Sequence, residues 1–259
     1  MTSNTYSAQF EQKPSLLKIY QLETRSELLK LLRTPGFTLP SLLFPVMFYL
    51  FFGVLFKMSA SMPTYLLATY GAFGVIGPAF FSFGVGVAVE RGQGWFDLKE
   101  VSPMPISGYI LARIIVCWIF ALMVVILLFS LGATFGDVTL YRSEWIELAL
   151  ILTLGSIPFC AIGLSLGLLL SANSAPAVVN LIYLPMAFLS GLWVPINYFP
   201  ETLQSIANLL PAYHLSQLAL GVLKMDQGQS IWLHVGVLLS YLVAFAWIAR
   251  WAFNRKDKQ

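Results

Sequence analysis

"GLWVPINYFPETLQSIANLLPAYHL", residues 191–215, is the stretch on which the reading of this chain turns. It follows a long apolar run and carries one formal charge, Glu201. Pro195, Pro200 and Pro211 interrupt it too often for one helix to cross a membrane, since each removes a backbone donor and crowds the preceding turn. Pro200-Glu201 reads as a helix start with an acid in the first turn. Leu203, Ile206 and Leu210 share a face of that short helix, Pro211 ends it, and Ala212–Leu223 can form a second. Two half-length apolar helices joined at a proline make a re-entrant hairpin, expected over 194–223. Broken backbone at membrane depth survives where protein or a water-filled cavity covers it. The segment is therefore expected to line or cap a pathway between helices, against the alternative of an external surface loop.

Composition fixes the solvent. The chain is 58% hydrophobic and 10% charged, with a mean hydropathy of +0.77, where a soluble domain has about 25% charged residues. Crossing the hydrocarbon core takes about 20 apolar residues. Six stretches qualify: Phe37–Phe56, Tyr65–Val89, Tyr109–Leu131, Ile146–Leu170, Ala175–Trp193 and Ile231–Phe253. Residues 1–36 are polar and contain no signal-peptide core. Cys117 and Cys160 fall inside expected spans and read as small packing residues rather than a disulfide or metal pair.

Charge sets the orientation. With six spans and the N-terminus inside, Lys57, Arg142 and Lys224 face out while the other twelve of the fifteen Lys and Arg residues lie on or near the inner side. That is a strong positive-inside bias. The basic ends then read as orientation signals and headgroup contacts, not as a nucleic-acid site.

Two further segments stand out. Ser15–Arg33 has helical periodicity, with Leu17, Tyr20, Thr24, Leu28 and Leu31 on one face and Lys18, Arg25 and Arg33 on the other. Such a helix lies in the membrane interface or packs on the bundle. The second span holds Gly71, Gly74, Gly77, Gly84 and Gly86, which permit close backbone approach, and Pro78, which is expected to kink it. "ERGQGWFDLKEVSPMPISGYILAR", residues 90–113, then forms the longest polar insert on the inner side. A plain connection needs a few residues, so the excess over 90–106 suggests a docking surface.

Enzyme chemistry is poorly supported. Gly163-Leu164-Ser165-Leu166-Gly167 matches G-x-S-x-G, but that motif works on a strand-to-helix turn, and Ser165 sits inside an expected span. His214 and His234 are not tied to it by spacing and lack partner ligands for a metal. The chain has no G-x-x-x-x-G-K-[ST] and cannot hydrolyse ATP by that route alone. No catalytic or metal-ligating residue is assigned. An ion-driven transporter would place acids or histidines within its spans; here acids such as Glu90 and Glu147 sit at span ends, and His234 lies within one. A membrane scaffold without transport is the third class.

The chain resembles the membrane subunit (permease) of ABC transporters of the ABC-2 exporter type, over about Leu16 to Arg255. The family's first motif is an acid-Arg-acid run, a Gly-Thr pair, a leucine and Ser-Pro. It corresponds here to Glu90-Arg91-Gly92-Gln93-Gly94-Trp95, Leu98 and Ser102-Pro103. The second corresponds to Ser190-Gly191, Pro195, Pro200, Leu203 and Asn208-Leu209-Leu210-Pro211. Gly92 replaces the second acid, Trp95 the threonine, and Gly221 stands where the family often has arginine. The resemblance implies an all-α membrane protein: six transmembrane helices, an N-terminal interfacial amphipathic helix, a cytoplasmic coupling helix and an external re-entrant hairpin between spans five and six. It implies that the 90–106 segment docks on an ABC ATPase subunit, with Glu90, Arg91, Gln93, Gly94, Leu98 and Pro103 as coupling residues. Gly191, Pro195, Pro200, Leu203 and Pro211 would build an outer gate. Two permeases would work with two ATPases, dimerising in part through the first and fifth spans. ATP and Mg would be held by the ATPase, and both chain ends would face the cytoplasm of a bacterial inner membrane. Phe-rich runs at 44–56 and 73–83 favour export of a hydrophobic or amphipathic, antibiotic-like compound, with a polysaccharide or lipid-linked glycan as the alternative.

Overall fold

The computed structural model describes residues 15–56, 59–96 and 106–256, which are helical almost throughout. Helix α1 (Leu16–Leu32) starts at Ser15, whose side chain accepts from the Lys18 N–H. The first span joins α2 (Pro35–Phe48) to a π-helical segment, Tyr49–Leu55. The second runs through α3 (Met62–Phe80), a π-helical segment at Phe81–Gly86, and α4 (Val87–Gly92). The third is α5 (Ile106–Thr134). The fourth is broken into α6 (Arg142–Leu154) and α7 (Ile157–Leu169). Then come α8 (Ala175–Leu189), α9 (Glu201–Ala207), α10 (Pro211–Val222) and the final α11 (Ile231–Lys256).

Among the described residues, five helical stretches are long and apolar enough to cross a membrane: Pro35–Leu55, Met62–Gly92, Ser107–Thr134, Arg142–Leu169 and Ile231–Arg255. The fifth expected span, Ala175–Trp193, is a shorter apolar helix that stops at Leu189. Its end is set by Gly191, held at φ +74°. The Leu192 N–H donates to the Ala187 carbonyl at 3.2 Å and the Gly191 N–H to the Phe188 carbonyl at 3.0 Å. This is a Schellman closure, which needs a residue tolerant of left-handed backbone. At 15 residues α8 is about 22 Å long, short of a core of about 30 Å.

The second span is the centre of the bundle, with nearly every residue of α3 buried. Its glycines are where neighbours come closest. A Cβ at Gly74 would collide with Val124 of α5 and Pro45 of α2, and one at Gly84 would meet Val179 of α8 at 2.9 Å. Gly163 and Gly167 of α7 do the same from the other side, lying against the Ala79 and Phe83 carbonyls. The G-x-S-x-G sequence is thus a close-packing surface of the kind small residues make in lipid. The Ser165 hydroxyl bonds the Phe245 carbonyl of α11 at 2.7 Å.

The two short helices of the segment expected as a hairpin behave differently. Helix α10 is buried from Pro211 to Gln217 and packs against α3, α6 and α11. Leu215 fits into the break between α6 and α7, where any side chain at Gly155 would collide with it. Helix α9 lies outside: Ala207 is its buried residue, Leu203 is half-buried and Ile206 exposed. On α1 the face that carries Tyr20, Thr24, Leu28 and Leu31 is half-buried against the bundle, while Leu17 of the same face is exposed. The residue of α1 buried most deeply is a carboxylate, Glu27, and the helix rests on α5.

Candidate functional site

Polar chemistry concentrates where α4 ends. Glu90 is in the last turn of the second span, with its side chain turned inward and 11% exposed. One carboxylate oxygen pairs with the Lys30 ammonium and with the Arg113 guanidinium. The other accepts from the Tyr109 hydroxyl at 2.5 Å. Arg113 is 1% exposed; it also pairs with Glu27 at 3.3 Å, lies over the Tyr109 ring at 4.7 Å, and donates to the Ser82 carbonyl. Lys30 bonds Glu27 at 2.8 Å.

The cluster therefore holds two carboxylates and two cations drawn from α1, α4 and α5. An isolated buried ion would cost several kcal/mol, and mutual pairing offsets part of that cost; Glu27 Oε2 and Arg113 Nε are left without a hydrogen-bond partner among the described residues. Local backbone makes the geometry possible. Within the π-helical segment the Ser82 carbonyl accepts from the Arg113 guanidinium. Gly86 leaves room for it, since a Cβ there would stand 2.9 Å from Arg113 Nη1.

Arg91 points the other way. It donates to the Leu168 carbonyl and, at 2.5 Å, to the Leu170 carbonyl, capping the C-terminal end of α7. Gln93 and Trp95 are exposed, and the Trp95 indole N–H donates to the Gln93 side chain at 3.1 Å. Gly94 takes φ +76°, the left-handed residue that ends α4. Phe96 returns inward against the Tyr109 ring at 5.7 Å. Leu98 and Pro103 lie outside the described residues. Of the sequence-derived coupling residues, then, Glu90 and Arg91 bind the insert to the bundle, and Gln93 with Trp95 begins its outer surface. Glu27, Lys30, Tyr109 and Arg113 were not among the candidates. Arg113, a cation four residues inside the expected third span, was the available signal.

The second constellation lies at the opposite end of the bundle. Pro195 opens a short 3-10 turn, Ile196–Tyr198, Pro200 precedes α9, and Pro211 occupies the first turn of α10. Freed carbonyls here are taken by distant side chains: Leu209 by the Tyr241 hydroxyl at 2.7 Å, and Asn208 by His214 Nε2 at 2.9 Å. Because a carbonyl only accepts, Nε2 of His214 carries the proton; its Nδ1 then accepts from His234 Nδ1 at 2.8 Å. Burial holds the His214 pKa below the ordinary histidine value. Among the described residues, no three His, Cys, Asp or Glu side chains gather to hold a metal ion.

Two aromatic hollows lie along α2, α3 and α8. One, of about 300 Å³, is lined by Phe37, Phe44, Phe73, Phe81, Tyr183 and Asn180 among others. The other, of about 440 Å³, lies nearer the hairpin among Phe48, Phe52, Tyr70, Phe188, Trp193 and Tyr198.

These features define a multi-pass helical membrane protein with a buried charge cluster at one end and two short proline-led helices at the other. Residues 20–223 match the family described as ABC-2 type transporter, and the chain belongs to that family. It is accordingly the membrane subunit of an ABC transporter, a transport subunit rather than the ATPase, and the family implies an ABC ATPase partner. The chain is 26% identical over 246 residues to "Putative transport permease YvfS" of Bacillus subtilis, covering 93% of this chain and 99% of that protein. It is 31% identical over 105 residues to "ABC transporter G family member 20" of Dictyostelium discoideum, covering 38% of this chain and 14% of that protein.

Proposed function

We propose that the chain is the permease of an ATP-driven exporter that moves a hydrophobic or amphipathic, drug-like compound out of a bacterial cytoplasm or inner leaflet. The Glu90 end faces the cytoplasm with both termini, as the basic bias of the sequence favours. The insert over 90–106 docks on the ATPase, which holds ATP and Mg. Two permeases and two ATPases make the working unit, the permeases meeting in part through α2 and α8.

The observation that carries this reading is the clamp. Glu90 ties α4 to α1 and α5, and Arg91 ties it to α7. A displacement of the insert by a closing ATPase would thus pull on three elements of the bundle at once. Glu90 and Arg91 act as positioning residues, while exposed Gln93 and Trp95 offer the surface. Pro195, Pro200, Leu203, Pro211 and Gly191 shape the gate at the outer end. The hollow nearer the hairpin segment, walled almost entirely by aromatic and aliphatic side chains, supports an apolar cargo over a small ion.

The test is to purify the tagged chain from native membranes, identify what comes with it and assay ATP hydrolysis and export. Recovery of an ABC ATPase, with export lost in Glu90→Ala and Arg91→Ala while both variants still insert, supports the reading. Normal export by both variants removes the coupling role. Recovery of the permease alone, with no hydrolysis, returns the ion-driven class and attention to His234.

A further inference from the structure

A third cavity, separate from the aromatic hollows, reaches the clamp at one end through Tyr109. It measures about 370 Å³ and its wall is almost wholly apolar. Helix α7 supplies its floor through Cys160 and Leu164, α5 one side through Ile114, and α11 the other through Leu242 and Ala246. The hollow has a simple origin. Helix α11 packs closely along α7 but makes no extensive contact with α5, and on its cavity side it presents Ala246 and Ala249, whose side chains stop at Cβ.

One end is polar. Arg250 and Asn254 stand where the cavity meets the level of Tyr109 and Phe96. Among the described residues Arg250 has no carboxylate partner. The nearby Arg255, over the Trp251 ring at 5.0 Å, adds positive charge to the same end of the helix.

We propose that this cavity is a binding site for an anionic phospholipid, with one acyl chain inside and the headgroup on Arg250 and Asn254. Length agrees: from Leu242 to Asn254 the helix rises about 18 Å, close to one leaflet of a core about 30 Å thick. Volume agrees too. At about 370 Å³ the site is near the lower end of small-molecule pockets, enough for one chain while the second stays in the bilayer. An apolar hollow does not hold water, and lipid tails are as apolar as its wall. Basic side chains at the membrane surface select anionic headgroups, each worth about 1 kcal/mol, or roughly fivefold. The site is independent of the proposed cargo.

The test uses the full-length chain, purified and offered equal amounts of phosphatidylglycerol and phosphatidylcholine, with retained lipid counted by native mass spectrometry. Wild type should retain phosphatidylglycerol preferentially. Arg250→Gln should reduce that preference about fivefold, Arg250→Lys should keep it, and Ala246→Trp, which fills the hollow, should lose both lipids. Arg142→Gln, at the far end of the bundle, should change nothing. Equal retention of the two lipids by wild type, or undiminished retention by Ala246→Trp, overturns the proposal. If Arg250→Gln does not fold, the comparison of wild type with Arg250→Lys and Ala246→Trp decides it alone.

Discussion

Replacing Arg113 by methionine tests the charge cluster most directly. The side chain is 1% exposed and serves Glu27, Glu90 and the Ser82 carbonyl together. Methionine has similar reach and no charge, so packing is largely kept. The cluster would then hold Glu27 and Glu90 against Lys30 alone, one uncompensated negative charge beside apolar helices. Removing one partner of a buried pair costs about 3–5 kcal/mol. Glu90→Gln leaves the opposite imbalance, but Arg113 keeps Glu27 at 3.3 Å and its carbonyl, so about 2 kcal/mol is expected, the worth of a hydrogen bond to a charged group.

The double variant leaves Lys30 with Glu27, already at 2.8 Å, and a neutral cluster. Its cost should therefore fall below the sum of the singles by about 0.5–3 kcal/mol, the range for contacting residues. Thermal or denaturant unfolding of the four purified proteins in one detergent measures the cycle. Strict additivity, or an Arg113→Met cost under about 1 kcal/mol, would refute the idea that charge balance holds α1, α4 and α5 together.

Three other perturbations probe the opposite end. Gly191→Ala forces a Cβ into left-handed backbone at φ +74° and to 3.2 Å from Ile196 Cβ; a loss of about 1–2 kcal/mol is expected, read as a lower thermal midpoint, and an unchanged midpoint would mean that the turn relaxes freely. Leu215→Ala empties the break between α6 and α7 and should cost about 2–5 kcal/mol, whereas Leu209→Ala, on a residue 70% exposed, should cost far less in the same assay. His214 is held neutral, with a folded pKa below 6.5, and it faces His234, Tyr213 and the Asn208 carbonyl. Above the unfolded pKa the group costs nothing; as pH falls below about 6.5 the unfolded chain takes a proton that the fold resists, so stability declines toward acid. Midpoints recorded between about pH 5 and 8 should fall on acidification in wild type and stay flatter in His214→Gln; parallel curves would exclude His214 as the cause.

Much of this fold was legible because bilayer physics leaves few choices. Apolar length marked the spans, and Pro195, Pro200 and Pro211 marked the segment that could not be one. Helix α8 was read too long because apolar Trp193 continues the run past Gly191, where the backbone turns. The two halves of the hairpin looked alike by composition, and the burial of α10 depends on a vacancy at Gly155, a long way off in sequence. The clamp was half visible. Glu90 and Arg91 stood out as charges at a span end, but their partners Glu27, Lys30 and Arg113 come from other elements and follow no local period. Glu27 even sits on a helix whose face was judged by its leucines.

What stayed hidden has a common form. At several helix ends and irregular turns a carbonyl is taken by a side chain: Ser82 by Arg113, Leu168 and Leu170 by Arg91, Asn208 by His214, and Leu209 by Tyr241. Where such a group lies at membrane depth, water cannot serve it and leaving it unpaired costs several kcal/mol. The donor that satisfies it is in return pinned to that point of the backbone. The consequence is mechanical. The same guanidinium that satisfies the π-helical segment at Ser82 also holds Glu90, and the one that caps α7 belongs to the next residue of α4. Local irregularity and long-range connection are one device, so the end of α4 cannot shift without asking the π-helical segment of the second span and the end of the fourth span to shift with it.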